Sequence, residues 1–392
     1  MFEQIGRYQP EAAALLARQI ASQVLPQALL FSGPRFSGRM TLAMETARAL
    51  SCTEDRSERC RCASCRLFAS YGMSNVIALG NRDHGTRIEA ALQLLEDRPD
   101  ERTRLLVLRT VRLMLLQFHG ALLDARESKT AAIFDLAASV AEQLFACEHA
   151  ELHQLPEMVN QLRNDLKPLS GYYLRSAPLT IGQVRSLQEW TSQTGFSSQM
   201  RVILLEGIEQ STESSRNSLL KLLEEPPEHT VIIVISENPA RLLPTILSRL
   251  QRHTIPALSQ EATRSLIATL SSVDRQSIGS LQQFMLEQAR VPCADIRRHA
   301  QLFADRLLSH QDLERTELDE ITADVDEAVR LEYFLDQFQQ RIHHRFANGG
   351  CESAYAARLL STAGSAAREA HVFNQNRKLL VERLYYRLQE VL

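Results

Sequence analysis

Short apolar segments alternate with amphipathic ones along much of the first 255 residues. Apolar residues dominate 27–32, 201–206 and 230–235, and such short, continuous runs predict strands buried on both faces. The segments 40–52 and 211–225, which follow two of these runs, carry apolar residues three to four positions apart and therefore predict helices. Buried strands alternating with helices predict an α/β fold, with a parallel sheet covered on both sides.

Two other regions lack strand patterns and show helical spacing instead. The first interrupts the α/β pattern at about 80–178, and the second runs from Pro256 to the end of the chain. We therefore predict an α/β domain at 1–255 with a helical insertion, a small helical domain at 256–308 and an all-α bundle at 309–392.

Composition and charge fit a soluble globular protein. Apolar residues make up 44% of the 392 residues and charged residues 23%. The formal net charge of −3 means that no global basic field attracts nucleic acids. No apolar run reaches the roughly 18 residues of a membrane-spanning helix, and the first segment is amphipathic, unlike a signal peptide. These observations predict a soluble, cytoplasmic protein.

Four of the seven cysteines lie close together, at Cys52, Cys60, Cys62 and Cys65. In a reducing compartment such a cluster indicates metal binding rather than disulfides. Cys62 and Cys65 have the two-residue spacing that commonly brings a pair of thiolates to one zinc ion. We predict a structural zinc site, since four thiolates leave no open position for catalysis. The alternative is a loop with four reduced cysteines and no metal.

The stretch GPRFSGRMT follows the first predicted strand and carries two glycines at the spacing of a phosphate-binding P-loop, G-x-x-x-x-G-K-[ST]. Gly33 and Gly38 preserve the turn. Arg39 replaces the lysine that contacts the β- and γ-phosphates, and Met40 replaces the hydroxyl that binds magnesium. Thr41 comes one position late, about 100° further round the helix. The turn is therefore retained without two of the residues that its chemistry needs.

Three features stand in one order: the P-loop-like turn, the cysteine cluster after its helix, and the segment NSLLKLLEEPPEHTVIIVI followed by LPTILSRL. Together they resemble the bacterial DNA polymerase III clamp-loader ATPase family of the AAA+ class. The resemblance covers about 30–79 and 180–255 well and the last third loosely, whereas 80–178 is outside it. It implies a RecA-like P-loop domain, a helical lid at 256–308 and a helical collar at 309–392 that assembles subunits into a ring.

The resemblance also locates the acidic residues of the nucleotide site. The family ends the second predicted strand with an Asp-Glu pair, which positions magnesium and polarises the attacking water. Here the two positions hold Glu206 and Gly207, and Gln282 stands where the family's lid carries an arginine. We interpret Glu209 as a solvated charge. Together with the altered P-loop, these changes predict a degenerate site that does not hydrolyse ATP, while residual nucleotide binding stays open.

The turn at Ser248 and Arg249 matches the family. In the family this arginine reaches the γ-phosphate bound by the neighbouring subunit, and an arginine finger raises hydrolysis rates by about 10³–10⁵. The resemblance therefore implies that Arg249 acts in trans, whereas the alternative is an ordinary surface arginine. The predicted function is a non-catalytic clamp-loader subunit, in a ring with gamma/tau and delta subunits, that helps load the sliding clamp onto primed DNA.

Two other functions compete with this prediction. One is an active gamma/tau-type clamp-loader ATPase with a variant P-loop, and the other is a zinc-binding DNA-interaction protein outside the replisome. The insertion also carries a basic amphipathic tract with Arg102, Arg104, Arg109 and Arg112. This tract could contact DNA or a partner, although such a helix more often has a solvated face.

Overall fold

The computed structural model divides into two compact units, Met1–Gln288 and Ala289–Leu392. It describes residues 1–69, 73–122, 128–173, 179–193, 200–271, 279–349, 351–373 and 377–390. The first unit contains the sheet and the helical insertion, and the described residues of the second unit form helices and their connections.

Within the described residues, parallel strands form one sheet in the order β2-β3-β4-β1-β5. The strands are β1 Ala28–Ser32, β2 Val76–Gly80, β3 Arg201–Glu206, β4 Thr230–Ser236 and β5 Gln251–Thr254. The predicted parallel α/β sheet and its three predicted strands, β1, β3 and β4, are confirmed.

The sequence analysis missed β2 and β5. β5 lies at the sheet edge and exposes three of its four residues, so its composition carries no apolar signal. β2 is a short apolar run, and periodicity alone cannot distinguish such a run from a piece of buried helix.

Helices cover the sheet and form the insertion. In the first unit they are α1 Glu3–Gly6, α2 Pro10–Ala21, α3 Arg39–Ser51, α4 Ala63–Ala69, α5 His84–Asp97, α6 Glu101–Leu115, α7 Ser128–His149, α8 Leu155–Leu166, α9 Ser170–Tyr173, α10 Ile181–Ser192, α11 Glu213–Glu224, α12 Pro244–Leu247, α13 Gln260–Leu270 and α14 Leu281–Gln288. Short 3₁₀ turns occur at Leu116–Phe118, Gly120–Leu122, Leu152–Gln154, Lys167–Leu169, Ile208–Gln210 and Pro239–Arg241.

Alternate residues of the central strands face two separate cores. Leu29 and Phe31 of β1 pack with the helices α1 to α3 on one side of the sheet. Leu30 packs on the other side with α10, α11 and α12, in a core that includes Trp190. This two-sided burial explains why the strands are apolar at successive positions.

The region predicted as a helical insertion, about 80–178, forms α5 to α9 in its described residues, and 123–127 and 174–178 lie outside them. Buried apolar residues of α5 to α8, such as Leu92, Val111, Leu144 and Leu162, form a core of their own. The insertion therefore packs around its own apolar interior beside the sheet domain.

One segment of the insertion departs from the expectation that no helix could cross a membrane. Residues Glu101–Leu122 have the length and apolar composition of a membrane-spanning helix. The same test is passed by core helices of globular proteins, and α6 within this segment packs against α5 and α7. Its apolar side chains thus serve the core of the insertion.

The two predicted helical domains do not coincide with the two units. α13 and α14 belong to the first unit, where α14 packs against α5 and α13 against α6. The second unit begins before α15 Cys293–Leu308, which packs against α16 Arg315–Asp324 and α17 Ala328–Ala347. The segment predicted as a lid, 256–308, therefore spans the division at 288/289, and the three-domain scheme stays a prediction.

The second unit is completed by α18 Ser353–Phe373 and α19 Arg377–Gln389. Its core centres on Phe303, whose ring makes edge contacts with Phe334, Phe338 and Tyr385. These residues come from α15, α17 and α19, so aromatic packing joins three helices that are far apart in sequence.

Candidate functional site

The carboxyl edge of the sheet carries the candidate nucleotide site, because the P-loop-like turn directly follows β1. The Gly33 amide donates to the Ser236 carbonyl at the end of β4 (3.2 Å), and a Cβ on Gly33 would lie 1.9 Å from the Ile255 carbonyl oxygen. Gly38 has a φ of +91°, a left-handed conformation that favours glycine. Backbone geometry alone therefore requires both glycines.

Residues of the N-terminal segment contact the P-loop-like turn and stabilise it. Gln9 donates through Nε2 to the carbonyls of Ser37 (2.9 Å) and Pro256 (2.8 Å). Ile5 packs beside Gly38, where an added Cβ would approach the Ile5 Cδ1 atom to 2.9 Å. The turn is thus a junction between the N-terminal segment, β1 and the chain that follows β5.

Arg39 begins α3 and is only 5% exposed. Its Nη2 atom lies 3.4 Å from Oε1 of Glu237, which also accepts a hydrogen bond from Nε of Arg35 at 2.8 Å. The Nη1 atom of Arg39 is buried and has no hydrogen-bond partner in the described part of the chain. Glu237 therefore offsets two cations of the turn, including the one in the lysine position. A bound phosphate would have to compete with this carboxylate.

Met40 lies on the buried face of α3, within the core shared by α1 to α3 and the sheet. It also lines a small cavity at the ends of β2 and β3, together with Gly80 and Glu206. Magnesium prefers oxygen ligands, so a thioether cannot take over the role of the missing hydroxyl.

Glu206 ends β3 and forms a largely buried ion pair with Arg82, which follows β2. Arg82 Nη1 lies 3.0 Å from Glu206 Oε2, and both side chains are 15% exposed. Burial alone would raise the pKa of Glu206, but the positive charges of Arg82 and Arg87 outweigh it and hold that pKa below its ordinary value. Glu206 is therefore an ionised carboxylate whose counter-ion is a guanidinium of the same chain.

Gly207 occupies the position of the family's second acid, and the structure leaves no room for a side chain there. Its φ is +71°, and an added Cβ would lie 1.8 Å from Oδ1 of Asn81. Because Asn81 follows the neighbouring strand β2, the sheet itself closes this position. Replacement of the glycine by an acid would need both a strained backbone and a displaced asparagine.

The interpretation of Glu209 as a solvated charge is wrong. Ser236 Oγ donates to Glu209 Oε1 at 2.9 Å, and Oε2 is buried without a hydrogen-bond partner among the described residues. Burial raises the pKa of this carboxyl group. The 3₁₀ turn after β3 carries Glu209 across the end of β4, an arrangement that sequence spacing alone did not indicate.

Sequence reasoning also missed Arg82, His84 and Arg87, because it did not predict β2. Burial, helped by the two arginines, lowers the pKa of His84 well below 6.5, so this imidazole is neutral. Arg87 lies over the Phe36 ring at 4.5 Å from the ring centroid, and burial lowers its pKa to about 9. The short run VIALG followed by NRDHGTR was the available signal.

Arg249 occupies a different corner of the domain, directly after α12. Its guanidinium forms an ion pair with Glu224 at the end of α11 and donates to the backbone carbonyl of Thr245. Ser248 Oγ lies 3.4 Å from Arg249 Nη1 and itself donates to the Thr245 carbonyl at 3.1 Å. Arg249 is 30% exposed and Glu224 47% exposed, so solvent reaches this ion pair.

The sheet separates Arg249 from the nucleotide site of its own chain. β1 and β5 run parallel, with Leu29 opposite Gln251 and Ser32 opposite Thr254. The P-loop-like turn follows the end of β1, whereas Arg249 precedes the start of β5. At about 3.3 Å per residue, the length of β5 puts roughly 13 Å between these two edges. Arg249 therefore lies at the amino edge of the sheet and the P-loop-like turn at the carboxyl edge.

The four clustered cysteines converge between α3 and α4. The sulfur atoms of Cys52, Cys60, Cys62 and Cys65 all lie within 4.8 Å of one another. The Sγ atom of Cys52 is 3.5 Å from that of Cys60 and 3.9 Å from that of Cys62. Four thiol groups at such separations could hold a metal ion.

Some arginines of the basic tract in the insertion form ion pairs or hydrogen bonds within the chain. Arg112 is buried and pairs with Glu148 at 2.6 Å, and Arg104 donates to the backbone carbonyl after α7 at 2.8 Å. Arg102 and Arg109 are exposed. Two of the four arginines are therefore used to join α6 to the end of α7, and contact with DNA stays a prediction.

Comparisons with known proteins agree with the resemblance. A family model described as "DNA polymerase III, delta subunit" matches residues 8–259. The chain is 29% identical over 136 residues to the delta' (delta prime) subunit of DNA polymerase III from Haemophilus influenzae, which covers 35% of this chain and 38% of that one. Identity to the Bacillus subtilis delta' subunit is 45% over 74 residues, or 19% of this chain and 22% of the relative.

A gamma/tau subunit of DNA polymerase III from Mycobacterium tuberculosis is 31% identical over 90 residues, which is 23% of this chain and 16% of the relative. The chain thus spans less than two fifths of the length of each of these relatives. Since the family model covers more than half of the chain, the chain belongs to the DNA polymerase III, delta subunit family.

Proposed function

We propose that the chain is a delta prime-type subunit of a DNA polymerase III clamp loader. In this proposal it does not hydrolyse ATP itself and places Arg249 against the nucleotide of a neighbouring subunit. The observation that carries the proposal is the contrast between two edges of one sheet. At the carboxyl edge the charged residues of the nucleotide site form ion pairs within the chain, whereas at the amino edge Arg249 is accessible to solvent.

Three features of the carboxyl edge argue against ATP hydrolysis. Glu237 already pairs with Arg39, which stands in the position of the phosphate-binding lysine. Arg82 already pairs with Glu206, which stands in the position of the magnesium-binding acid. Asn81 fills the space that a catalytic acid at position 207 would need. Phosphoryl transfer relies on positioning and charge stabilisation, so loss of these groups removes most of the catalytic machinery.

Accessibility and location together favour action of Arg249 in trans. The edge on which Arg249 lies is opposite to the P-loop-like turn, so its guanidinium cannot serve the pocket of its own chain. A guanidinium that reaches developing negative charge on a γ-phosphate accelerates hydrolysis by about 10³–10⁵. A ring of subunits would bring this edge to the nucleotide site of the next subunit.

The cysteine cluster fits a structural zinc ion. A tetrahedral ion with Zn–S bonds of about 2.3 Å sets its thiolates about 3.8 Å apart, close to the separations between Cys52 and its neighbours. The Cys65 amide donates to the Cys62 sulfur at 3.4 Å, and this contact, together with hydrogen bonds to Thr53, lowers the pKa of Cys62 to about 6. Zinc would join the end of α3 to α4 without taking part in catalysis.

The proposed partners are gamma/tau and delta subunits in a hetero-oligomeric ring, with the sliding clamp and primed DNA contacted through the complex. A cytoplasmic location follows from this role. An active gamma/tau-type ATPase is the second candidate, because a gamma/tau relative matches part of the chain. The internal ion pairs of Arg39 and Glu206 favour the non-catalytic role over it.

The test is reconstitution of the complex with the full chain, its gamma/tau and delta partners, the clamp and primed DNA. Arg249→Ala should lower ATP turnover at least tenfold at the neighbouring site without loss of assembly. Arg241→Ala removes an exposed arginine outside this corner and should leave turnover unchanged. Magnesium-dependent ATP turnover by the isolated chain, or full turnover with Arg249→Ala, would contradict the proposal.

The zinc proposal has a separate test. Elemental analysis of the purified chain should find one zinc per molecule, and Cys62→Ser should lose it. Cys351→Ser provides a matched control, because this cysteine lies outside the cluster. Wild-type protein that contains no zinc and titrates with all its thiols free would rule out the metal site.

A further inference from the structure

The ion pair between Arg249 and Glu224 joins two segments of the first unit that the proposed function treats separately. Glu224 is the last residue of α11, in the EEPP stretch that ends this helix, and Arg249 follows α12. The proposed finger acts through Arg249 alone. The structure gives its guanidinium a defined acidic partner, so the question is what Glu224 does for the arginine.

The residues next to Glu224 and Arg249 in sequence pack into the same apolar core. Leu222 and Leu223 lie directly before Glu224, and Ile246 and Leu250 lie on either side of Arg249. These four side chains are buried in the core on the α10–α12 side of the sheet. The backbones at the two charged residues are therefore held at a fixed separation, and only the side chains can move.

The guanidinium is held from more than one direction. Nη2 contacts the Glu224 carboxylate, and Nη1 donates to the Thr245 carbonyl and lies 3.4 Å from Ser248 Oγ. A free arginine side chain has about 2 kcal/mol of rotamer entropy, part of which must be lost when it docks on a phosphate. Contacts made before docking remove some of this loss from the catalytic step.

The ion pair with Glu224 is weak enough for another anion to replace Glu224 as the partner of the guanidinium. Both side chains are partly exposed, and ion pairs in contact with solvent contribute only about 0–1 kcal/mol. A nucleotide phosphate carries more negative charge than one carboxylate and accepts the same N–H groups bidentately. A phosphate that approaches this edge can therefore replace Glu224 as the partner of the guanidinium.

We propose that Glu224 is a positioning residue that holds the Arg249 guanidinium at the amino edge until a phosphate of the neighbouring subunit's nucleotide replaces it. This inference rests on the proposed function, because it presupposes that Arg249 acts in trans. It adds a residue with no contact to the nucleotide, which acts through the arginine alone.

The test uses the reconstituted complex and four variants of the full chain: Glu224→Ala, Glu224→Gln, Arg249→Ala and the double variant. Glu224→Ala should lower kcat for ATP about tenfold with an unchanged KM, since misplaced catalytic groups affect the chemical step. Glu224→Gln keeps an acceptor oxygen and should restore much of the rate. In the Arg249→Ala background, Glu224→Ala should have no further effect.

Glu225→Ala is the matched control, because it removes the same charge one residue further on from an exposed side chain. It should behave like the wild type. If Arg249→Ala is slow while Glu224→Ala is normal or faster, the positioning role is wrong and the finger stands. If Arg249→Ala is itself normal, the proposed function fails, and the inference fails with it. An additional loss in the double variant would show that Glu224 acts structurally, which also overturns the inference.

Discussion

Two of the arginine–glutamate ion pairs in the sheet domain lie at opposite edges, and they differ in what the arginine can still do. Arg82 and Glu206 meet at the carboxyl edge with both side chains largely buried. Arg249 and Glu224 meet at the amino edge, where solvent reaches both. The buried guanidinium can exchange its partner only at the cost of an unpaired buried carboxylate. The exposed guanidinium can exchange its partner almost freely.

This difference follows from the environment of the ion pairs, because the two residue types are the same. Removal of one partner from a buried ion pair leaves an uncompensated charge and typically costs about 3–5 kcal/mol, whereas solvent-exposed ion pairs contribute about 0–1 kcal/mol. When the charged residues of a nucleotide site form buried ion pairs with one another, they are no longer available to bind phosphate or magnesium. An arginine in a solvent-exposed ion pair at the edge of the sheet, in contrast, stays available to a partner.

The largest expected effect is at the buried ion pair. Glu206→Gln should lower the free energy of unfolding of the first unit by about 3 kcal/mol, because it leaves Arg82 with no carboxylate. Trp190 is the single tryptophan and lies in the core of this unit, so its fluorescence during urea unfolding reports the change. The double variant Arg82→Met/Glu206→Met should lose less than about 1 kcal/mol.

The double variant is also the control for this prediction, since it removes the charges and keeps apolar volume. Equal losses in the single and double variants would mean that packing, and not charge pairing, holds this edge.

The next effect concerns pH. His84 is neutral in the fold because burial, Arg82 and Arg87 lower its pKa below 6.5. Its contribution to stability is therefore complete above pH 6.5 and is lost as the pH falls, with a slope of at most about 1.4 kcal/mol per pH unit. Urea unfolding between pH 7.5 and pH 5 should show this loss.

His84→Gln should flatten that pH dependence without abolishing it. His253 is buried and His119 is half-buried, and burial lowers the pKa of both imidazoles in the same direction. If His84→Gln and the wild type had the same pH profile, His84 would be solvated. The interpretation that this imidazole is buried at the carboxyl edge of the sheet would then be weakened.

The sequence predicted those parts of the site whose signals are local. The glycine spacing of the turn, the loss of a lysine and a hydroxyl at Arg39 and Met40, and the cysteine spacing can each be read in a few residues. β3 and β4 are long apolar runs bounded by turns, so their ends could be located, and Glu206 with them.

The rest depended on contacts between distant segments. Arg82 and Asn81 became part of the site only because β2 pairs with β3, and periodicity alone does not distinguish the apolar run of β2 from a piece of buried helix. Glu209 was misjudged because its neighbour, Ser236, belongs to another strand. The motif singled out Arg249 as a candidate, but its ion-pair partner Glu224 lies 25 residues away in sequence, and no local pattern links them.

The smallest effect is expected at the exposed corner. Glu224→Gln should change the free energy of unfolding, measured by Trp190 fluorescence, by less than about 1 kcal/mol, because water solvates the released guanidinium. Glu225→Gln should give a similarly small value. A loss near that of Glu206→Gln would mean that Arg249 is locked into its own chain as firmly as Arg82 is. The two edges would then no longer differ, and an accessible cation at the amino edge could not support catalysis in a neighbouring subunit. A small loss in stability for Glu224→Gln, combined with a large loss of the neighbour's ATP turnover for Arg249→Ala, would support the difference between the two edges, because only a guanidinium that is released at little cost in free energy is available to another nucleotide site.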